Sequence, residues 1–262
     1  MFLSDCCAAV LVSVMAVAVV ACGRNDNRQG AAESPKPSDT AAQNEFWVEA
    51  PASAGEVREY YKGHLRREGL ENVFAVLVIT QKEGAPSRTY VLTEYRTNFG
   101  KGYTTTRSTG NLRIDALSGT AGETAAYRLD GGASPGQARV FVKTDDKLYV
   151  PKDPAALSAG FGDWTATLEY AARAANGRVW IDGLLSLPTP LIRLRTGDAL
   201  VARSTRGYTV RPEATGRPLR QEGSSQDGDY QMFTFRAVEP GSTDLLLEDN
   251  SGHLAMAQVK VE

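Results

Sequence analysis

Beyond residue 60 the chain alternates between short runs of aliphatic, β-branched or aromatic residues and gaps that contain Gly, Asn, Asp, Ser or Pro. Regular short strands separated by turn residues are typical of an antiparallel barrel or sandwich. We therefore predict an all-β fold whose first part, residues 46–187, is a small barrel. Its predicted strands are 73–80, 89–95, 112–117, 125–129, 139–142, 147–150 and 164–170.

A second set of runs predicts a smaller β-sandwich over residues 191–262. Tyr230–Ala237 alternates between apolar and polar residues, so one face of this strand should point inward. Asn176-Gly177 is a hairpin-turn signal before a further strand at 178–181. Leu187-Pro188-Thr189-Pro190 resembles a linker, and we place the boundary there. The predicted strands of the second part are 199–203, 208–211, 230–238, 244–248 and 254–261.

The N-terminus carries an uncharged apolar run at residues 8–21. Its fourteen residues are too few to span a bilayer easily, but they suit the apolar region of a signal peptide. The run ends in Val19-Val20-Ala21-Cys22, which resembles the lipobox of bacterial lipoproteins. That resemblance implies a signal peptide at residues 1–21, cleavage between Ala21 and Cys22, and a covalent lipid on Cys22.

The segment that follows, residues 22–45, has no aromatic or large aliphatic residue after Cys22. Such a composition cannot offset the entropy of ordering a chain, so we predict a flexible tether. In Gram-negative lipoproteins an Asp after the lipidated cysteine favours retention in the inner membrane. Gly23 stands there, and the resemblance implies an outer-membrane protein that faces the periplasm.

Four short pieces follow one another between about residues 59 and 170: Tyr61-Lys62-Gly63-His64-Leu65, Thr89–Tyr95, Ala126–Leu129 and Asp146-Lys147-Leu148. In this order they resemble the N-terminal domain of the NlpE family of outer-membrane lipoproteins. The family is linked to copper resistance and envelope-stress signalling. The resemblance implies a lipocalin-like barrel and a role in envelope-stress or surface sensing.

The chain departs from that family after the first matching strand. Family members carry a Cys-x-x-Cys pair there, whereas this chain has Arg66-Arg67-Glu68-Gly69-Leu70. Cu(I) prefers thiolate ligands, so the resemblance gives no support for copper binding. All three cysteines, Cys6, Cys7 and Cys22, precede the folded part, which therefore has no disulfide of its own. We expect no metal and no cofactor apart from the lipid on Cys22.

Charge and motifs exclude several function classes. The net charge is −2 without a long basic run, which argues against nucleic acid as a partner. The only histidines are His64 and His253, and no Gly-x-Ser-x-Gly motif is present, so a catalytic triad has little support. Adjacent carboxylates such as Asp145 and Asp146 point to opposite faces of a strand and cannot share a proton. We predict a protein that is not an enzyme.

Four aromatic residues of the predicted barrel are candidates to line a ligand site: Tyr90, Tyr95, Tyr127 and Trp164. In a small barrel about half of such side chains face the interior or its mouth. They would then form either a site for a small apolar ligand or an ordinary packed core. The packed core is the favoured interpretation.

The second part resembles bacterial immunoglobulin-like domains through Phe233-x-Phe235-x-Ala237 and the following Pro240-Gly241. It is also faintly similar to chagasin-type inhibitors of cysteine proteases, because Ser204-Thr205-Arg206-Gly207-Tyr208 partly matches their first protease-binding loop. The leading hypothesis is a lipid-anchored envelope protein that acts through contacts with another envelope protein. The alternatives are a carrier of a small apolar ligand and a periplasmic cysteine-protease inhibitor.

Overall fold

A computed structural model describes residues 46–51, 54–68, 71–98, 102–117, 124–131, 139–154, 157, 163–182, 190–205, 209–210, 217–248 and 254–262. The predicted signal peptide, Ala21, Cys22 and the tether lie outside these residues. The described strands are β1 (Phe46–Glu49), β2 (Glu56–Glu68), β3 (Glu71–Lys82), β4 (Arg88–Asn98), β5 (Gly102–Ala116), β6 (Ala125–Asp130), β7 (Arg139–Thr144), β8 (Lys147–Pro151), β9 (Trp164–Ala175), β10 (Arg178–Asp182), β11 (Pro190–Leu194), β12 (Ala199–Thr205), β13 (Thr209–Val210), β14 (Leu219–Asp227), β15 (Tyr230–Ala237), β16 (Gly241–Glu248) and β17 (Leu254–Val261).

Strands β2 to β9 form a closed antiparallel barrel of eight strands. Each strand pairs with the next one along the chain, and β9 closes the ring by pairing with β2. Alternation along β3 shows why the sheet curls around a core: Ala75, Leu77 and Ile79 point into the barrel, whereas Phe74 and Val76 point out of it. The predicted all-β barrel is confirmed.

Strand β9 continues past the barrel. A bulge between Tyr60 and Tyr61 in the β2–β9 pairing changes which face each later residue of β9 presents. Beyond it, β9 turns through Asn176 and Gly177, both with positive φ, into β10. The hairpin predicted from Asn176-Gly177 is therefore confirmed.

The second part has two sheets that share one core. One sheet extends from β9 through β10, β12 and β15 to β14, and the other has the order β1-β11-β17-β16-β13. Phe233 and Phe235 from the first sheet and Leu245 and Val259 from the second are all at most 3% exposed and belong to the same cluster. A sandwich therefore follows the barrel, as the alternation of Tyr230–Ala237 predicted.

The core of the sandwich also includes the outer surface of the barrel. Ala172 and Ala174 of β9 are fully buried in it, together with Tyr60, Phe74 and Val76 of the barrel. Strand pairing also crosses the boundary that the sequence placed at residues 188–190. Strand β10 pairs with β12, and β1, which precedes the barrel, pairs in parallel with β11. The barrel and the sandwich are thus continuous in both their sheets and their packing.

Candidate functional site

The barrel interior is filled by large side chains. Tyr61, Leu77, Leu92, Phe141 and Leu168 are each at most 1% exposed, and all belong to one cluster. The interior of a small eight-stranded barrel is just wide enough for side chains of this size to fill it as a packed core. This arrangement favours the packed-core interpretation over a ligand cup.

The four aromatic candidates lie in three different places. Tyr90 and Tyr127 face the barrel interior, where they are 3% and 4% exposed. Tyr95 packs on Phe74 outside the barrel, with the ring centres 6.2 Å apart. Trp164 is 50% exposed and its ring centre lies 4.7 Å from that of Tyr149. The structure therefore does not assemble these residues into one site.

A polar group lies at the end of the barrel from which β9 emerges. Tyr61 and Tyr170 meet edge to face, with ring centres 5.7 Å apart, and the hydroxyl of Tyr61 donates a hydrogen bond to Glu59 at 3.3 Å. Burial is the main cause that raises the pKa of both tyrosines, and the nearby charge of Glu59 adds to it. Both phenols therefore stay protonated at neutral pH.

The interior face of the barrel continues as an exposed face of the sandwich. Glu59 lies on the interior face of β2, two residues before Tyr61, and is directly opposite Arg173 on β9. Arg173 is in turn directly opposite Trp180 on β10, and Trp180 neighbours Val201 on β12. Directly paired residues lie on the same face of a sheet, so the row leads from the barrel mouth onto the open sheet.

Two arginines flank Trp180 on this sheet. The guanidinium carbons of Arg173 and Arg178 each lie 5.6 Å from the centre of the Trp180 ring. Arg173 reaches the ring from across the hairpin, and Arg178 reaches it from two residues earlier on the same strand. These distances are within the range of cation–π attraction, which favours positions of the two guanidinium groups near the ring.

A second pair of residues with the same chemistry lies further along the sheet. The guanidinium carbon of Arg203 lies 4.4 Å from the ring centre of Tyr230, which is 40% exposed. Arg203 also forms an ion pair with Asp182 and lies 3.6 Å from Asp146. We call Arg173, Arg178, Trp180, Arg203 and Tyr230 together the arginine–aromatic face.

The two halves of this face differ in charge balance. The hydrogen bond from Arg203 to Asp182 raises the pKa of Arg203 and neutralises its charge locally. Arg236, on the same sheet, is held by both carboxylate oxygens of Glu222 at 3.1 Å. By contrast, Arg173 and Arg178 have no ion pair with any residue that the structure describes. Among the described residues, no carboxylate therefore binds directly to the guanidinium group of Arg173 or of Arg178.

Within the described ranges, no three His, Cys, Asp or Glu side chains are placed to hold a metal ion. The same part of the chain contains no helix with the length and apolar character needed to cross a bilayer.

The sequence analysis did not single out Arg173, Trp180 or Arg178. A usable signal was nevertheless present, since the two-residue turn Asn176-Gly177 fixes the register of the hairpin. That register places residue 173 opposite residue 180, and strand alternation places residue 178 on the same face. Two arginines and one tryptophan on one exposed face could have been inferred from these positions.

Comparison with protein-family models, curated proteins and solved structures finds no match for this chain.

Proposed function

We propose that this chain is a non-enzymatic, lipid-anchored lipoprotein of the bacterial envelope that acts through contacts with another envelope protein. The arginine–aromatic face carries this proposal. It lies on an open sheet, and its side chains are Arg, Trp and Tyr, the residue types that contribute most of the binding energy in protein interfaces. Because the barrel interior is filled by side chains, we assign the proposed contact to the outer surface.

The proposed lipid anchor is based on the lipobox-like Val19-Val20-Ala21-Cys22, and the proposed membrane location is based on Gly23. The proposed location is the outer membrane, on the periplasmic side. Stable attachment requires more than one acyl chain, which a lipidated N-terminal cysteine supplies. Replacing Cys22 by Ala should release the protein from the membrane fraction and abolish incorporation of an alkyne-labelled fatty acid. Retention of Cys22→Ala in the membrane would contradict the anchor.

The NlpE-like resemblance of residues 59–170 supports a role in envelope-stress or surface sensing. The closed barrel over β2–β9 is compatible with a lipocalin-like domain. We do not extend the proposal to copper, because Arg66 to Leu70 replace the family's Cys-x-x-Cys.

Protein contact can be tested with a photo-crosslinking amino acid at Ser225 in intact cells. Ser225 pairs with Met232, which pairs with Arg203, so it lies on the same side of the sheet as the arginine–aromatic face. Ser224, the preceding residue, is also exposed but lies on the opposite side. We expect a protein adduct from position 225 and none from position 224. Equal adducts, or none from either, would refute the proposed contact.

Carriage of an apolar ligand is the alternative, and native mass spectrometry on the full chain separates the two. Because the interior cluster is closely packed, we expect the mass of the chain and its lipid alone. A reproducible additional mass that is lost on collisional activation would replace the proposed function with carriage.

A further inference from the structure

We propose that Arg173 and Arg178 bind carboxylate groups on the acidic surface of a protein partner, with Trp180 as the central apolar contact. This inference rests on the proposed function and specifies the chemistry of the partner.

The first argument is charge. Arg173 and Arg178 place two guanidinium groups around one ring without an ion pair among the described residues. Arg203 and Arg236, on the same sheet, already have Asp182 and Glu222. A partner that brings negative charge to Trp180 therefore gains two new ion pairs and disrupts none.

The second argument is the geometry of the donors. A guanidinium group is planar and binds a carboxylate through two parallel N–H···O bonds. Contact with the Trp180 ring restricts both guanidinium groups before binding, which lowers the entropy cost of ordering them. Two arginines that share one ring can each hold one carboxylate, so side chains on neighbouring positions of a protein surface fit this site.

The third argument is shape. The site lies on an open sheet face, with Arg173 and Arg178 exposed and Trp180 half-buried. Small anions are bound in concave sites that surround them, whereas flat surfaces rich in Arg and Trp are typical of protein interfaces. The face therefore suits an extended acidic surface.

The fourth argument is the negative charge beside the two arginines. Glu59 is directly opposite Arg173, and Asp182 lies two residues beyond Trp180 on the same side of β10. Because Arg203 already neutralises Asp182, Glu59 is the carboxylate that repels acidic groups placed beside the two arginines instead of on them. Attraction at the centre and repulsion at this edge together fix the position of the partner.

Fluorine NMR on the full chain in detergent, labelled with 5-fluorotryptophan, tests the inference. The chain has three tryptophans, Trp47, Trp164 and Trp180, so two of the three signals act as internal controls. Trp180→Phe assigns the signal of interest. The probe is a hexaglutamate peptide, and hexaglutamine is the neutral control. We expect hexaglutamate alone to cause a saturable shift of the Trp180 signal that weakens as salt is added.

Matched variants make the test specific. Replacing Arg173 and Arg178 together by Gln should weaken hexaglutamate binding by about tenfold or more, since two charge-assisted contacts are lost. Arg128→Gln is the control, because Arg128 is ion-paired with Asp115 on another part of the barrel. It should bind hexaglutamate like the unmodified protein.

Three results would overturn the inference: no shift of Trp180 with hexaglutamate, equal binding by the double variant, or tighter binding of inorganic phosphate or of an acidic oligosaccharide. None of them depends on the crosslinking test. An adduct at Ser225 without a hexaglutamate shift would leave the proposed protein contact intact and reject only the acidic partner. Absence of the adduct would reject the proposed contact itself.

Discussion

The Nζ atom of Lys62 lies 5.7 Å from the centre of the Phe46 ring. Lys62 is on the outer surface of the barrel, and β1 carries Phe46 across it, so that only 6% of the lysine is exposed. Burial lowers the pKa of Lys62 to about 8, and the nearby charge of Glu169 opposes this shift only in part. The amine is held away from water at a cost in stability, because the charged form loses hydration.

Replacing Lys62 by Met should remove this cost. The pKa of Lys62 rises from about 8 in the folded protein to its ordinary value of 10.5 on unfolding. The unfolded state therefore binds more protons between these values, and the stability of the unmodified protein rises with pH across that window. Relative to the Lys62→Met variant, the gain from pH 7 to pH 10.5 should be about 3 kcal/mol.

Urea unfolding of both proteins at several pH values measures this difference. Burial also raises the pKa of Tyr60, Tyr61 and Tyr170, which lowers stability above about pH 10 in both proteins alike. Only the difference between the two proteins is therefore informative. Parallel curves from pH 7 to pH 10.5 would show that the lysine is not desolvated.

Gly110 marks a close approach of strands inside the barrel. A Cβ atom at this position would collide with the backbone oxygen of Asp130 and lie 3.1 Å from Cε1 of Tyr90. Because backbone cannot move aside cheaply, Gly110→Ala should destabilise the protein by about 1–3 kcal/mol. Gly223→Ala is the control, since its Cβ would meet nothing within 4 Å. Equal midpoints of thermal unfolding for the two variants would be evidence against this packing.

The barrel and the sandwich should unfold in one transition. Tyr60, Ala172 and Ala174 belong to strands that close the barrel, yet they are buried in the sandwich core. Phe141→Ala in the barrel and Phe235→Ala in the sandwich should each lower the midpoint of the same calorimetric transition. Each should reduce the free energy of unfolding by about 3–5 kcal/mol. Two separate transitions, each sensitive to only one of these variants, would mean that the parts fold independently.

Arg193 attaches β1 to the sandwich. Its guanidinium carbon lies 4.2 Å from the ring centre of Trp47, and its Nε atom lies 3.3 Å from Glu262. Arg193 also donates a hydrogen bond to Glu49 at 2.5 Å. Arg193→Gln should lower the free energy of local opening of β1 by roughly 1 kcal/mol. Amide hydrogen exchange at Val48 should then be about fivefold faster.

Lys260→Gln is the matched control for Arg193. Lys260 binds the same Glu262, at 3.0 Å, but it lies on β17, which pairs with β11 and β16 and not with β1. Exchange at Val48 should stay unchanged in this variant. If both variants accelerate exchange equally, the effect belongs to Glu262 and not to the contact with β1.

The apolar pattern predicted the fold class because most strands bury one face. Strand β14 escaped prediction because Leu219 is its only buried residue, and its strand geometry comes from pairing with β15. Strand β5 was predicted only at its C-terminal end, since residues 104–107 are exposed and form a strand only through pairing with β4. Pairing with a neighbour leaves little trace in the hydropathy of such strands.

The candidate ligand-lining residues show what alternation alone could have decided. Tyr90 and Tyr95 are five positions apart on β4, and residues an odd number apart face opposite sides of a regular strand. They could not both have lined the interior. Trp164 was harder to place, because a bulge between Val150 and Pro151 in the β8–β9 pairing changes the face, and no composition signal marks that bulge.

The parallel pairing of β1 with β11 has a mechanical consequence. β1 enters the fold at Phe46 and runs alongside β11, which in turn runs parallel to β17. A pull on β1 from its N-terminal side acts along the strand, so the hydrogen bonds to β11 bear the load together in shear instead of opening one by one. Burial of Phe46 and Val48 resists the same sliding motion. Tension that arrives through residue 46 is thus transmitted to the sandwich core and, through the shared packing, to the barrel wall.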